Sequence, residues 1–261
     1  LSVGNFIAFS AGLGTWIIRE WMGAGDATAM GMVAGCILAM LACGGLGLFS
    51  GTMVAVFGVP PFVTSLGMMM VASGLAYLLS GGLSIYQLPP SFDWLGRGDD
   101  LLGIPNAVVL MVILYLLAHM LMSRTVVGRQ VYAVGGNPEA ARLSGVPVKK
   151  ILLWVYAGSG ALAGLGGIVM ASQFISGDPK YGLMYELYVI AAVVVGGTSL
   201  SGGRGKVFGT LIGAFIIAVI QNGMNLTGVQ SYTQKVVLGL VLLGAVLLDV
   251  LKKRGWKLRT N

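Results

Sequence analysis

The chain is predicted to be an all-α polytopic membrane protein with about eight transmembrane helices, and three observations predict it. Its 261 residues are 56% hydrophobic, with a mean hydropathy of +0.88. From Ala27 to Phe92 there is no Lys, Arg, Asp or Glu, and so long an uncharged stretch cannot supply the charged surface a soluble domain needs. Apolar runs of about 20 residues match the roughly 30 Å hydrocarbon core of a bilayer.

Apolar runs set against breakers give spans at 1–18, 29–57, 62–80, 107–122, 151–171, 184–196, 207–221 and 235–250. The second is long enough to tilt, or to break near Gly44-Gly45. The sixth extends only roughly 20 Å as an ideal helix. It reads as a broken or re-entrant element, whose backbone must be covered by protein or line a cavity. Many of the 42 glycines lie inside these runs. Gly31/Gly35, Gly47/Gly51, Gly160/Gly164 and Gly209/Gly213 have the four-residue spacing of close membrane-helix contacts. Cys36 and Cys43 are about 10 Å apart along one predicted helix, too far to bridge. They and His119, the single histidine, read as packing residues, and no Cys/His cluster has metal-ligand spacing. The chain starts at Leu1 without an initiator Met and reads as an N-terminally truncated piece of a longer protein, a single transmembrane domain over 1–261 with no signal peptide.

Orientation follows the basic residues. The 123–150 loop carries Arg124, Arg129, Arg142, Lys149 and Lys150, the 197–206 loop carries Arg204 and Lys206, and the tail reads "KKRGWKLR". Alternating spans put all three, and the C-terminus, on the cytoplasmic side. Loops 81–106, with Asp99-Asp100, and 172–183, with Asp178 and Lys180, fall on the opposite side. The net charge of +7 is this asymmetry and gives no reason to expect nucleic acid as a partner. "LSVGNFIAFSAGLGTWII" from Leu1 and "LSGGRGKVFGTLIGAFII" from Leu200 align without a gap, an internal repeat of the kind found in transporter folds.

One polar stretch, "GGNPEAARLSGVPVKK" (135–150), is specified as a short helix by its ends. Asn137 is a favoured N-cap, Pro138 falls where its missing N–H costs nothing, and Glu139 suits the positive end of the helix dipole. Ala140, Ala141, Arg142 and Leu143 are helix formers. After Ser144, Gly145 is placed for a left-handed turn, with Pro147 stopping continuation. A connector needs no helix, so the stretch reads as a docking element facing a cytoplasmic partner, or more plainly as a capped surface loop.

"GRQVYAVGGNPEAARLSGV" (128–146), "YELYVIAAVVVGGTSLSGGRGKVFGTLIGA" (185–214), "NGMNLTGV" (222–229), "LSVG" at the start and "GVPPFVTSLG" (58–67) resemble the permease subunits of bacterial ABC importers for monosaccharides, the ribose/xylose/galactose class. The resemblance covers essentially the whole chain. It implies about ten spans in the full protein, two of them before Leu1, and a dimer with a second copy or a related permease in the bacterial inner membrane. It also implies a cytoplasmic ABC ATPase that binds ATP and Mg, and a periplasmic sugar-binding protein meeting loops 81–106 and 172–183. By resemblance, Asn137 to Gly145 form the coupling helix. Tyr188 stands where the family usually has an acid after "YEL", which leaves the role of that acid in doubt.

No cofactor, metal or catalytic group is expected in this chain. "SGGRGKV" (201–207) departs from a P-loop at Leu200, where the first Gly is required, and at Val207, where Ser/Thr should follow. Ion-coupled carriers place carboxylates or histidines in the membrane, and Glu186, at the outer end of the sixth span, comes nearest. A sugar path would then be lined by uncharged donors and acceptors: Asn5, Thr64, Ser65, Gln173, Thr198, Ser199, Asn222 and Asn225, each of which equally suits an interhelical hydrogen bond. The alternatives are a related permease for nucleosides, autoinducer-type molecules or branched-chain amino acids, and an ATP-independent facilitator or carrier. An integral-membrane enzyme is disfavoured, because no nucleophile–base pair is present.

Overall fold

The computed structural model describes residues 1–23, 28–100 and 103–259, with side chains throughout except at Met22, 248–249 and 252–259. The basic tail's side chains therefore lie outside the described residues. The described residues fold into eleven helices: α1 (Val3–Met22), α2 (Ala29–Ala55), α3 (Pro61–Ser80), α4 (Trp94–Arg97), α5 (Asn106–Arg124), α6 (Val126–Gly136), α7 (Pro138–Leu143), α8 (Val148–Phe174), α9 (Tyr185–Val195), α10 (Val207–Leu226) and α11 (Ser231–Arg259). Ile85 and Gly177 form an isolated antiparallel β-bridge. Helices α2, α3, α5, α8 and α10 are long and apolar enough to cross a membrane, and α9 and the Ser231–Leu247 part of α11 are shorter apolar helices. The chain is an all-α polytopic membrane protein.

The described residues pack as two bodies, 1–113 with 147–186, and 114–146 with 187–261. In the first, α1, α2, α3 and α8 form the core. Helix α2 buries Met32, Gly35, Ala39, Cys43, Gly47, Ser50 and Gly51, a seam three or four residues apart that keeps to one helix face. Gly47/Gly51 on α2 meet Gly160/Gly164 on α8. A Cβ at Gly47 would strike the Tyr156 carbonyl, and one at Gly160 would strike that of Cys43. Helix α1 closes the seam: Ser10 Oγ donates to Gly164 O at 2.8 Å, and Gly35 admits Ile17 and Ile18. Cys43 is buried with its Sγ 3.4 Å from Phe6 O. Helix α2 is continuous through Gly44-Gly45, so of the two sequence expectations for this span the break is not realised. Gly44 packs on Ala161, and nothing displaces the backbone ladder there.

Segments 81–106 and 172–183 are bonded to each other. Ile85 and Gly177 exchange backbone hydrogen bonds of 2.7 and 2.9 Å, and Ser84 Oγ donates to Asp178 Oδ2 at 2.6 Å. Ser172 Oγ donates to Phe92 O at 2.6 Å and accepts from Gly96 N at 2.8 Å. Leu88 and Phe92 join Ala11, Ile18, Met32 and Ala171 in a buried cluster. Residues 84–96 thus form a cap on one end of the core.

The short sixth span has a structural explanation. From Ile175, itself in the left-handed region at φ 48°, the chain runs back along α1 before α9 begins. Gly177 lies against Ala11 and Thr15, and Gly182 against Gly4 and Ile7. Thr15 to Gly4 covers about 16 Å of α1, and that non-helical length makes up for what α9 lacks. That stretch of backbone is covered by α1, as non-helical chain within a bilayer would have to be. Glu186 lies in the first turn of α9, at the end of that short span. Its carboxylate meets Gly4, and its Oε2 is buried without a hydrogen-bond partner among the described residues.

In the second body α9 and α10 approach through Gly196, Gly209 and Gly213, the last against the Ala192 carbonyl. Ala191, Ala192, Ile217 and Leu238 form the core there. His119 stacks on Phe208, with ring centroids 4.6 Å apart. The repeat is helical in both copies from Ala8 and Val207 onward, but Gly4 is helical whereas its counterpart Gly203 has φ 73°. Helix α5 buries none of its described residues, which leaves its apolar surface to lipid or to another protein.

The seam makes a paired prediction. Gly47→Ala must push apart backbone atoms of α2 and α8, and overpacking of this kind costs about 1–3 kcal/mol. Gly45→Ala, on the same helix with open space around it, should stay within about 0.5 kcal/mol of wild type. Thermal loss of the monodisperse peak on size-exclusion chromatography in mild detergent distinguishes them. Equal melting of the two variants would refute the seam.

Candidate functional site

Helix α7 is held by local chemistry at both ends. Asn137 Oδ1 accepts from Glu139 N and Ala140 N, both at 3.0 Å, which satisfies two of the free donors of the first turn. At the other end Gly145 has φ 82°. Gly145 N donates to Arg142 O and Val146 N to Ala141 O, each at 3.0 Å, a Schellman closure. Ser144 Oγ returns to Ala140 O at 2.9 Å. Ala141 is buried, whereas Leu143 is 77% exposed. Glu139 and Arg142 pair with each other across one turn, Arg142 Nη2 lying 2.6 Å from Glu139 Oε1. The Arg142 hydrogen bond and charge hold the Glu139 carboxyl below its ordinary pKa.

The segment expected as a loop before α7 is instead helix α6. Thr125 caps it, its Oγ1 accepting from Gly128 N at 3.2 Å. Gly128 packs on the Leu121 and Met122 carbonyls, turning α6 sharply from α5. The signal was present in the sequence: a Thr cap ahead of "VVGRQVYAV" and Gly135-Gly136 at its end.

The residues expected to line a pathway divide between the two bodies. In the first body Asn5 is half-buried near the start of α1 and Gln173 is exposed near the end of α8. Thr64 is buried, its Oγ1 3.3 Å from Pro60 O, and Ser65 Oγ donates to Phe62 O at 3.0 Å. Ser65 does line a cavity of about 270 Å³ with Ser50, Phe62, Tyr156 and Ser159, so hydroxyls and aromatic rings face one space. In the second body Thr198 and Ser199 lie in the turn joining α9 to α10, where Ser199 Oγ is 3.0 Å from Ser201 Oγ. Asn222 and Asn225 are exposed on α10, and Asn225 Oδ1 accepts from Gln234 Nε2 at 2.8 Å.

Comparison with known proteins decides the family. The family described as branched-chain amino acid transport system / permease component matches residues 1–246. The chain belongs to that family. The Escherichia coli K12 protein named ribose import permease protein RbsC is 39% identical over 253 residues, 95% of this chain and 76% of that protein. Its Bacillus subtilis 168 namesake is 40% identical over 251 residues, covering 95% and 75%. The D-allose transport system permease protein AlsC of E. coli K12 is 36% identical over 251 residues, covering 95% and 74%. No solved structure matches the chain. These three relatives carry sugar names, although the family's own description names branched-chain amino acids.

Two measurements check α7. Asn137→Ala removes the cap at a cost of about 1 kcal/mol, or about fivefold faster hydrogen exchange at the Glu139 and Ala140 amides. The Glu139–Arg142 pair, with the Glu139 pKa lowered, is intact above the ordinary carboxylate range and is lost as pH falls through the lowered value. Carboxyl NMR should find Glu139 titrating below free glutamate, and Arg142→Gln should return it to the ordinary range.

Proposed function

We propose that this chain is the membrane permease subunit of an ATP-driven, binding-protein-dependent importer of monosaccharides, forming the path for the sugar and coupling to a separate cytoplasmic ATPase. The observation that carries this reading is 39–40% identity, over 95% of the chain, to proteins named ribose import permeases. The family description alone would equally suit branched-chain amino acids, but relatives 36–40% identical to the chain carry the names of ribose and D-allose.

On this reading the chain is not itself an enzyme. ATP and Mg belong to the ATPase, and the chain departs from a P-loop at Leu200 and Val207. Residues 137–145 dock in the ATPase with Leu143 as the anchor, and α7 conveys the closure of the ATPase dimer to the spans. The basic residues of 123–150, 197–206 and the tail place these segments and the C-terminus in the cytoplasm of a bacterial inner membrane. The bonded 81–106 and 172–183 segments then face the periplasm and the sugar-binding protein. Apolar surfaces such as that of α5 meet lipid and a second permease.

The buried Glu186 oxygen supports a second reading, because a carboxylate enclosed in a membrane protein is what a proton-coupled carrier would use. One experiment separates the two. Full-length protein purified from native membranes in mild detergent should retain an ATPase, and replacing 138–144 by a Gly/Ser linker should release it. Gly145→Val, which strains the left-handed turn, should insert normally yet lose uptake of labelled ribose or allose. A protein that purifies alone, with uptake indifferent to ATP and abolished by Glu186→Gln, would establish the carrier instead.

A further inference from the structure

The two glycines that precede α7 are packed against two glycines of the turn between α9 and α10. A Cβ at Gly202 would strike the Gly135 carbonyl, and one at Gly203 would lie 2.6 Å from Gly136 Cα and 2.9 Å from its nitrogen. A Cβ at Gly135 would in turn lie 2.9 Å from Gly203 N. Gly202 and Gly203 hold φ of 81° and 73°, a conformation that L side chains rarely adopt. Tyr132 on α6 donates its hydroxyl to Gly205 O at 2.9 Å, so the contact is pinned beside the glycines. The turn is closed by its own bonds, Ser199 N to Arg204 O and Gly202 N to Ser199 O, each 3.0 Å. At its far side Gly196 and Gly209 meet backbone to backbone.

We infer that this glycine joint is a second coupling element, through which a displacement of α7 reaches α9 and α10. The inference rests on the reading of α7 as the ATPase-docking helix. Helix α7 and the 187–226 segment are distant in sequence, and the glycine joint brings the residues before α7 onto the turn between α9 and α10 within the second body. Contacts between side chains absorb small displacements by changing rotamer. Backbone resting on backbone has no such slack, and close-packed interiors transmit strain. Gly135 and Gly136 sit immediately before Asn137, so movement of the α7 cap carries them along. Gly202 and Gly203 must then follow or lose contact, and the closed turn passes the shift to the ends of α9 and α10. Gly203 and Tyr132 are positioning residues, since they act through α7 and touch no substrate. Spatial continuity alone does not demonstrate coupling, so the test reads coupling directly.

The full-length permease is reconstituted with its ATPase and binding protein in proteoliposomes, and ATP hydrolysed per labelled monosaccharide delivered is measured. D-Ribose and D-allose are the probes. Gly203→Ala and Tyr132→Phe remove the steric fit and the pin respectively. Gly197→Ala is the control, because Gly197 has φ 85° but nothing within 4 Å of its would-be Cβ. It carries the same backbone strain without the contact. The expected result is that Gly203→Ala retains the ATPase and its basal hydrolysis within twofold while ATP used per sugar rises at least tenfold. Tyr132→Phe should raise it severalfold, and Gly197→Ala should match wild type. Wild-type stoichiometry in Gly203→Ala, or an equal loss in Gly197→Ala, overturns the joint while leaving the docking role of α7 standing. If Gly203→Ala fails to assemble, Tyr132→Phe decides in the same way. A wild-type protein that never retains an ATPase overturns the docking reading, and the joint with it.

Discussion

The structure depends on how closely two helix backbones can approach where α2 meets α8. Inside a bilayer the lipid tails are as apolar as leucine, so burying leucine against leucine gains little, and association rests on packing and on polar contacts. Glycine at 47, 51, 160 and 164 lets the two backbones touch. The same seam admits Ser10, whose hydroxyl reaches the Gly164 carbonyl from α1. Larger residues at those four positions would hold α1 off and leave Ser10 without its partner across the interface. The large apolar side chains, by contrast, mostly face outward: Leu41, Leu48 and Phe49 on α2 are exposed, as is Trp154 on α8. The usual soluble arrangement, with large residues inside and small ones anywhere, is here reversed.

That close-packed body makes the non-helical 175–184 segment possible. Non-helical backbone at bilayer depth is costly unless its polar groups are satisfied, and this segment meets the requirement locally. Gly177 pairs with Ile85, Ser176 pairs with Tyr181 at 2.6 Å, and Asp178 accepts from Ser84 and from the Lys180 amide. Gly4, Gly177 and Gly182 remove the side chains that would keep the segment away from α1. Among the described residues, the buried side-chain oxygen without a partner is Glu186 Oε2, where this segment gives way to α9.

What could be read from the sequence follows the range of the interactions involved. Helix α7 was legible to the residue, because Asn137, Pro138 and Gly145 specify it through bonds that span five residues or fewer. The membrane class was legible because hydropathy is additive along the chain. Helix α6 was missed although Thr125 and Gly135-Gly136 mark both ends, since Arg129 and the nearby basic residues made the stretch look like a loop. The return of 175–184 along α1 was visible only as a span too short to cross, because its cause lies in Gly4, far away in sequence. The pathway residues were the least legible. Thr64 and Ser65 spend their hydroxyls on carbonyls of their own turn, and side-chain type alone does not separate a hydroxyl that serves a solute from one that serves its helix.

Glycine therefore has two distinct uses in this chain, separable by backbone conformation. At 47, 51, 160 and 164 it is helical and its value is the absent side chain, so the contact is static and the two helices move as one. At 202 and 203 it combines an absent side chain with a left-handed backbone, in a turn whose ends are tied and whose body touches α6 at Gly135, Gly136 and Tyr132. A helix pair locked along several turns resists relative motion, whereas a turn held at one point can be carried by what it touches. A transporter that changes shape needs both: bodies that stay rigid, and narrow joints at which force is handed on. Here one residue type supplies each, and the sign of φ tells them apart.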